Sequence, residues 1–159
     1  MRTERDEENL EHEKDREDAS SDLASWTHPG VREVLQRLSA QVRLAVLTNK
    51  PGGATARVLE GLDLASYFTW VVAGAGPLGR KPGPVGLLLL VRAAGATVEH
   101  TLLVGDSAND LETARQAGTN LCLARYGFGY RLADRELRGD ELLADNPRRI
   151  AEIVESRRT

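Results

Sequence analysis

The sequence predicts an α/β fold on a mainly parallel sheet with flanking helices, and three observations carry that reading. From Trp26 onward, short apolar runs alternate with stretches of helical periodicity. The connections between them are brief, which favours parallel strands linked by crossover helices. Specific polar residues follow the apolar runs directly, where open sheets of this kind place their ligands.

Taken in order, Val31, Val34, Leu35 and Leu38 fall at i, i+3, i+4 and i+7, one face of a helix entered through the Pro29-Gly30 turn. Leu44–Leu47 is a continuous apolar run, as expected for a strand covered on both faces. A helix is predicted over Ala54–Leu62, closed by Asp63, and a strand over Trp70–Ala73. Pro84 begins the next helix and Gly95 ends it. Thr101–Val104 reads as a buried strand and Asn109–Ala117 as a helix with Leu111 and Ala114 inward and Gly118 as its stop. Asn120–Ala124 is a further strand. Asn146 caps a last helix that has Pro147 at its first position and Ile150, Ile153 and Val154 on one face.

A chain of 159 residues suits one domain. Residues 1–24 are predicted to be a charged, disordered tail and 25–159 the folded core. Met1–Asp22 holds ten acidic and four basic residues, with Leu10 the lone large apolar side chain besides Met1. Such a segment buries too little to offset its ordering entropy. The net charge of −3 and the absence of a basic stripe argue against a nucleic-acid partner. No apolar run approaches the roughly 20 residues a bilayer requires, the longest being Val85–Val91, and no signal peptide is expected. Cys122 is the single cysteine and reads as a core residue, so a reducing cytoplasm is the expected compartment. His12, His28 and His100 lack metal-ligand spacing and read as surface or turn residues.

The chemistry-bearing residues follow three strands: Thr48, Asn49 and Lys50; Arg80, Lys81 and Pro82 beyond a Gly-rich loop; and Gly105–Asp110. A hydroxyl, an amide, a lysine and two carboxylates at one sheet edge form an inventory for a phosphate and a divalent cation. Hard carboxylate oxygens suit Mg²⁺. Each residue also has a plain structural alternative. Asp106 or Asn109 caps the following helix, and Asp110 complements its dipole. Thr48 caps a helix, and Lys81 is a solvated surface lysine. Arg125 and Tyr126 either line the crevice or pack. The turn over Gly74–Pro77 opens no helix and is not read as a nucleotide fingerprint.

In this order the three sites resemble the haloacid dehalogenase superfamily over about residues 26–155. Val46-Leu47-Thr48-Asn49-Lys50-Pro51 resembles its second motif, Arg80-Lys81-Pro82-Gly83-Pro84 its third, and Val104-Gly105-Asp106-Ser107-Ala108-Asn109-Asp110 its fourth. The phosphoglycolate phosphatases are the most similar subgroup, with Pro29-Gly30-Val31 and Tyr126-Gly127-Phe128-Gly129-Tyr130 both fitting it. The resemblance implies a Rossmann-like core and Mg²⁺-dependent hydrolysis of a small phosphorylated metabolite, 2-phosphoglycolate or similar, through an aspartyl-phosphate. It assigns Thr48 and Lys81 to catalysis and Thr48, Asn49 and Lys81 to phosphate. Asp106 would bind Mg²⁺, with Asp110 supporting the site behind it.

The resemblance also implies an Asp-x-Asp-Gly-Thr motif ending a central strand, followed by a helical cap. These 159 residues contain no Asp-x-Asp. The expected fold therefore misses that strand and the cap. The strands on either side would have to pair directly or have the gap filled from elsewhere, because each unsatisfied buried backbone group costs about 1–3 kcal/mol. Three readings follow: a truncated phosphatase without activity, a non-catalytic module binding phosphate, metal or a partner, or half of a split enzyme. A homo-oligomer and a complementing chain are both compatible with them. A receiver-like signalling domain shares the alternation but would need an acidic pair after its first strand and a mid-chain phosphoacceptor. Neither is visible.

Overall fold

Apolar runs separated by helical repeats become five strands and five helices in the computed structural model, which describes residues 27–74 and 80–157. The predicted tail, His12 and most of the Gly74–Pro77 turn lie outside the described residues. In chain order the elements are α1 (Val31–Ser39), β1 (Ala45–Thr48), α2 (Gly52–Gly61), β2 (Trp70–Ala73), α3 (Val85–Ala93), β3 (Leu102–Gly105), α4 (Ala108–Ala117), β4 (Asn120–Ala124), β5 (Leu142–Ala144) and α5 (Pro147–Ser156). Asn146 caps α5 through its side chain, which accepts the N–H of Arg149, and Pro147 follows it, as its sequence predicts. Gly118 closes α4 in the left-handed region. The strand β5 was not predicted, because three residues are too few to show alternation.

All strand pairings are parallel. β1 pairs with β2, with Ala45 opposite Trp70 and Thr48 opposite Ala73. β3 pairs with β4, and β4 with β5. Among the described residues these make two separate sheets, β1-β2 and β3-β4-β5. Among the described residues, the two strands that should flank a central one do not pair directly, and no strand lies between them. One expectation is corrected by this. The Leu44–Leu47 run was read as covered on both faces, yet no residue of β1 is buried and Ala45 is exposed. Among the described residues, its edge away from β2 lines a cleft and meets no further strand.

Helices hold the halves together. Leu87 of α3 packs with Leu103, Leu111, Leu121 and Leu123 in the largest core cluster, and Leu47 of β1 packs against it. On the other face, Val34 and Leu38 of α1 meet Ala151 of α5. The deepest strand is β4. Leu121 and Leu123 join the first cluster, while Cys122 points the other way with Ala144 and Ile153. Cys122 is fully buried, as predicted, and that burial pushes its thiol up to about 11 against the lowering charge of Arg149. No helix among the described residues is long and apolar enough to cross a membrane.

Leu123 has 0% of its surface exposed. Leu123→Ala should cost about 2–5 kcal/mol, read as a lower urea midpoint at an unchanged denaturant slope.

Candidate functional site

The carboxyl ends of β1 and β3 are joined by a chain of polar contacts that starts at Asn49. Its side-chain oxygen accepts the Lys81 N–H at 2.8 Å, and its amide nitrogen donates to the Lys81 carbonyl at 2.9 Å. The two bonds clamp the backbone of Lys81 across 32 residues of sequence. The following Lys81–Pro82 peptide is cis. Beside the clamp, Thr48 Oγ1 accepts the N–H of Lys50 at 3.1 Å.

From the clamped backbone, the Lys81 ammonium reaches Asp110 Oδ1 at 2.6 Å. The two side chains are only 15% and 4% exposed, so this is a desolvated, charge-assisted contact and not the solvated surface lysine of the structural alternative. The other carboxylate oxygen of Asp110 accepts from the backbone N–H of Asp106 and of Ser107, each at 3.1 Å, and from Ser107 Oγ at 2.7 Å. Burial opposes the Asp110 carboxylate. The Lys81 and Ser107 hydrogen bonds, the Lys81 charge and the Asp106 N–H outweigh it, and hold the carboxyl below its usual range.

The cap of α4 is Ser107, which corrects the alternatives of Asp106 or Asn109. Ser107 accepts the Asp110 N–H while Asp110 reaches back to the Ser107 N–H, a reciprocal capping box. The Ser-x-x-Asp spacing was a readable signal for it. Asp110 thus does more than complement the helix dipole, since it locks the loop that carries Asp106. Gly105 makes room for this: a Cβ there would stand 2.2 Å from the Asp110 carboxyl carbon.

Asp106 keeps a carboxylate at the loop apex, and the segment after β4 folds over it. The Gly129 N–H donates to Asp106 Oδ2 at 2.8 Å, and a Cβ on Gly127 would lie 2.4 Å from Asp106 Cβ. Sequence reasoning missed these contacts, although the alternation of glycine and aromatic residues over 126–130 marked the segment. Tyr126 packs edge-on to His28 at 4.8 Å between ring centroids, and Phe128 stacks on His28 at 4.9 Å. His28 is therefore a packed residue and not a plain surface one, while His100 is exposed as expected. Burial, with Cys122 and Asp106 adding to it, pushes the Tyr126 phenol up to about 12. Arg125 turns away to pair with Asp145 at 2.6 Å.

The structure therefore brings Asn49, Lys81, Asp106 and Asp110 into one connected edge, with Thr48 adjacent to Asn49. The carbonyl oxygen and one N–H of Asn49 serve Lys81 rather than a ligand. No cluster of three or more His, Cys, Asp or Glu side chains suited to a metal occurs among the described residues. Of the two carboxylates described at the edge, Asp110 is met by protein donors on both oxygens, whereas Asp106 accepts the Gly129 N–H on Oδ2. That fits an ion such as Mg²⁺, which takes one or two carboxylates and fills its remaining positions with water and phosphate.

Comparison with known proteins bears on family and fold. The family model of haloacid dehalogenase-like hydrolases matches residues 4–124, beginning further toward the amino terminus than the motif resemblance did. A phosphoglycolate phosphatase of Pseudomonas putida is 34% identical over 113 residues, covering 70% of this chain and 42% of that protein. One of Salmonella paratyphi A is 41% identical over 107 residues, covering 67% of this chain and 42% of that protein. A haloacid dehalogenase-superfamily hydrolase of subfamily IA from Geobacter sulfurreducens superposes with a TM-score of 0.68 at 28% identity, over 80% of this chain and 55% of that structure. The chain thus spans about two-fifths of the length of these curated relatives.

Because the Asp110 carboxyl titrates lower in the folded state than in the unfolded one, the stability it contributes is complete above about pH 5. It is lost as pH falls through the ordinary value near 3.9 and on past the folded one. Asp110→Asn should flatten this acid limb of a plot of urea midpoint against pH. At pH 7 it should cost about 3–5 kcal/mol, because it leaves the Lys81 charge buried without its partner.

Proposed function

The chain belongs to the haloacid dehalogenase-like hydrolase family, and on that premise we propose that it carries the phosphate- and Mg²⁺-binding portion of a phosphatase similar to the phosphoglycolate phosphatases. The observation that carries this reading is the Asn49–Lys81–Asp110 chain of contacts, which holds a lysine and two carboxylates at the ends of β1 and β3. A phosphate monoester of a small metabolite, with 2-phosphoglycolate as the first candidate, is the substrate class.

Each residue then has a task. Thr48 Oγ1 already accepts the Lys50 N–H, so its own proton is directed to a phosphate oxygen. Lys81, with its backbone fixed by Asn49, supplies positive charge beside the phosphoryl group. Asp110 orients that ammonium and the Asp106 loop together, and Asp106 holds Mg²⁺. When bound, Mg²⁺ would neutralise charge on the phosphoryl oxygens. Gly129 steadies the Asp106 carboxylate through its N–H.

The family's reaction also needs an attacking aspartate, and these 159 residues contain no Asp-x-Asp. A carboxylate nucleophile divides hydrolysis into two easier displacements. Without one, binding outlasts turnover. This observation favours a second reading in which the chain acts as a non-catalytic module for phosphate and metal.

Melting curves with Mg²⁺ and inorganic phosphate test the binding. At ten times Kd a specific ligand stabilises by about 1.4 kcal/mol, a shift of a few degrees for a chain of this size. Asp106→Asn should abolish the Mg²⁺ response, and Thr48→Ala should weaken the phosphate response. The absence of any shift overturns the proposal. With 2-phosphoglycolate and Mg²⁺ the chain alone should show no metal-dependent turnover. Turnover abolished by Asp106→Ala would refute the inactive reading and support catalysis.

A further inference from the structure

Glycines and aromatic residues alternate after β4, and the two kinds meet different neighbours. The glycines meet the Asp106 carboxylate. The Gly129 N–H donates to Asp106 Oδ2 at 2.8 Å, and a Cβ on Gly129 would stand 3.0 Å from Oδ1. A Cβ on Gly127 would collide with the Asp106 side chain. Neither glycine has a positive φ, so both serve close approach and not an unusual backbone. The aromatic residues between them meet His28 instead. Tyr126 lies edge-on to the imidazole, and Phe128 stacks on it with the ring planes 29° apart.

We infer that His28 is a positioning residue for the Asp106 carboxylate, acting from the entry of α1 through Phe128 and Tyr126 on the Gly127–Gly129 backbone. A hydrogen bond to a carboxylate weakens steeply as its direction changes, so the Gly129 N–H must be held in place. Two glycines in three residues give that backbone wide freedom and no side chain to restrain it. Tyr126 and Tyr130 pack into the cores on either side, but Phe128, between the glycines, is 63% exposed. Its stack on His28 restrains the segment at its middle. His28 is itself fixed, since its carbonyl accepts the Val31 N–H at 3.2 Å and the Pro29-Gly30 turn follows it.

The imidazole serves here by shape. Its Nε2 is enclosed and finds no hydrogen-bond partner among the described residues, while its ring makes both aromatic contacts. Holding Oδ2 on Gly129 also sets the direction of Oδ1, so the orientation of the whole carboxylate passes back to a residue that does not touch it. The consequence for Mg²⁺ rests on the proposed role of Asp106. The consequence for the carboxylate itself does not.

The test reads the Gly129 amide by NMR in the Mg²⁺-free 159-residue chain. Its proton should lie downfield, as a short charge-assisted bond requires, with Asp106→Ala supplying the unbonded position. His28→Ala and Phe128→Ala should each move it toward that position and speed its exchange by roughly tenfold. His28→Phe, which keeps a ring and loses the nitrogens, should restore it. Titration with Mg²⁺ should then show binding weakened roughly tenfold in both alanine variants, with no further loss in the double variant, because both break one connection. Phe128 is exposed, so Phe128→Ala keeps the test open even where His28→Ala fails to fold. Leu38→Ala, in the core beneath α1, should lower the melting temperature and leave the Gly129 amide where it was. The inference is overturned by a wild-type Gly129 amide at the unbonded position, by an amide unmoved in Phe128→Ala, by an equal change in Leu38→Ala, or by no rescue in His28→Phe. A wild-type chain with the bonded amide but no Mg²⁺ binding overturns the metal role of Asp106 and leaves the positioning by His28 standing.

Discussion

One buried ion pair organises the candidate functional edge of this molecule. The Lys81 ammonium and the Asp110 carboxylate meet at 2.6 Å in a largely desolvated setting, where neither charge is tolerable alone. Everything adjacent serves that contact. Asn49 fixes the lysine's backbone, Ser107 and the Asp106 N–H take up the second carboxylate oxygen, and Gly105 clears the space. The pair is also the polar tie between the half-sheets, complementing the apolar ties through α3 and through α1 with α5. Site geometry and tertiary assembly are thus coupled.

The halves differ in how completely they are finished. The β3-β4-β5 sheet has a central strand buried along nearly its whole length, flanked by α4 and α5. The β1-β2 sheet has two strands, neither with a buried residue. Since local opening follows the distribution of buried contacts, the β1-β2 half belongs to the less protected part of the fold. The acidic, hydrogen-bonded Asp106 loop is anchored on the better packed half, and Thr48 and Asn49 on the looser one.

Much of this was legible before any coordinates. Long periodic or continuously apolar segments such as Val31–Leu38 and Asn120–Ala124 announce themselves, because burial imposes their pattern. The polar residues after each strand pointed to the candidate edge because they interrupt apolar runs, and the structure brings Asn49, Lys81, Asp106 and Asp110 together there. What escaped depended on pairing across long sequence separations. The clamp of Asn49 on Lys81 and the fold of Gly127 and Gly129 over Asp106 leave no periodic trace. β5 was too short to show one, and the exposure of β1 depends on which strands it pairs with among the described residues, which no local pattern encodes.

The lone thiol at the heart of β4 gives the molecule a built-in clock. Cys122 is completely enclosed, and its pKa near 11 keeps the reactive thiolate scarce at neutral pH. An alkylating reagent can therefore modify it only when the best packed strand leaves its sheet. With no second cysteine to compete, the rate of that single event reports how often the β3-β4-β5 half opens. The isolated sulfur thus turns a question about cooperativity between the two halves into one about the timing of a chemical reaction at one atom.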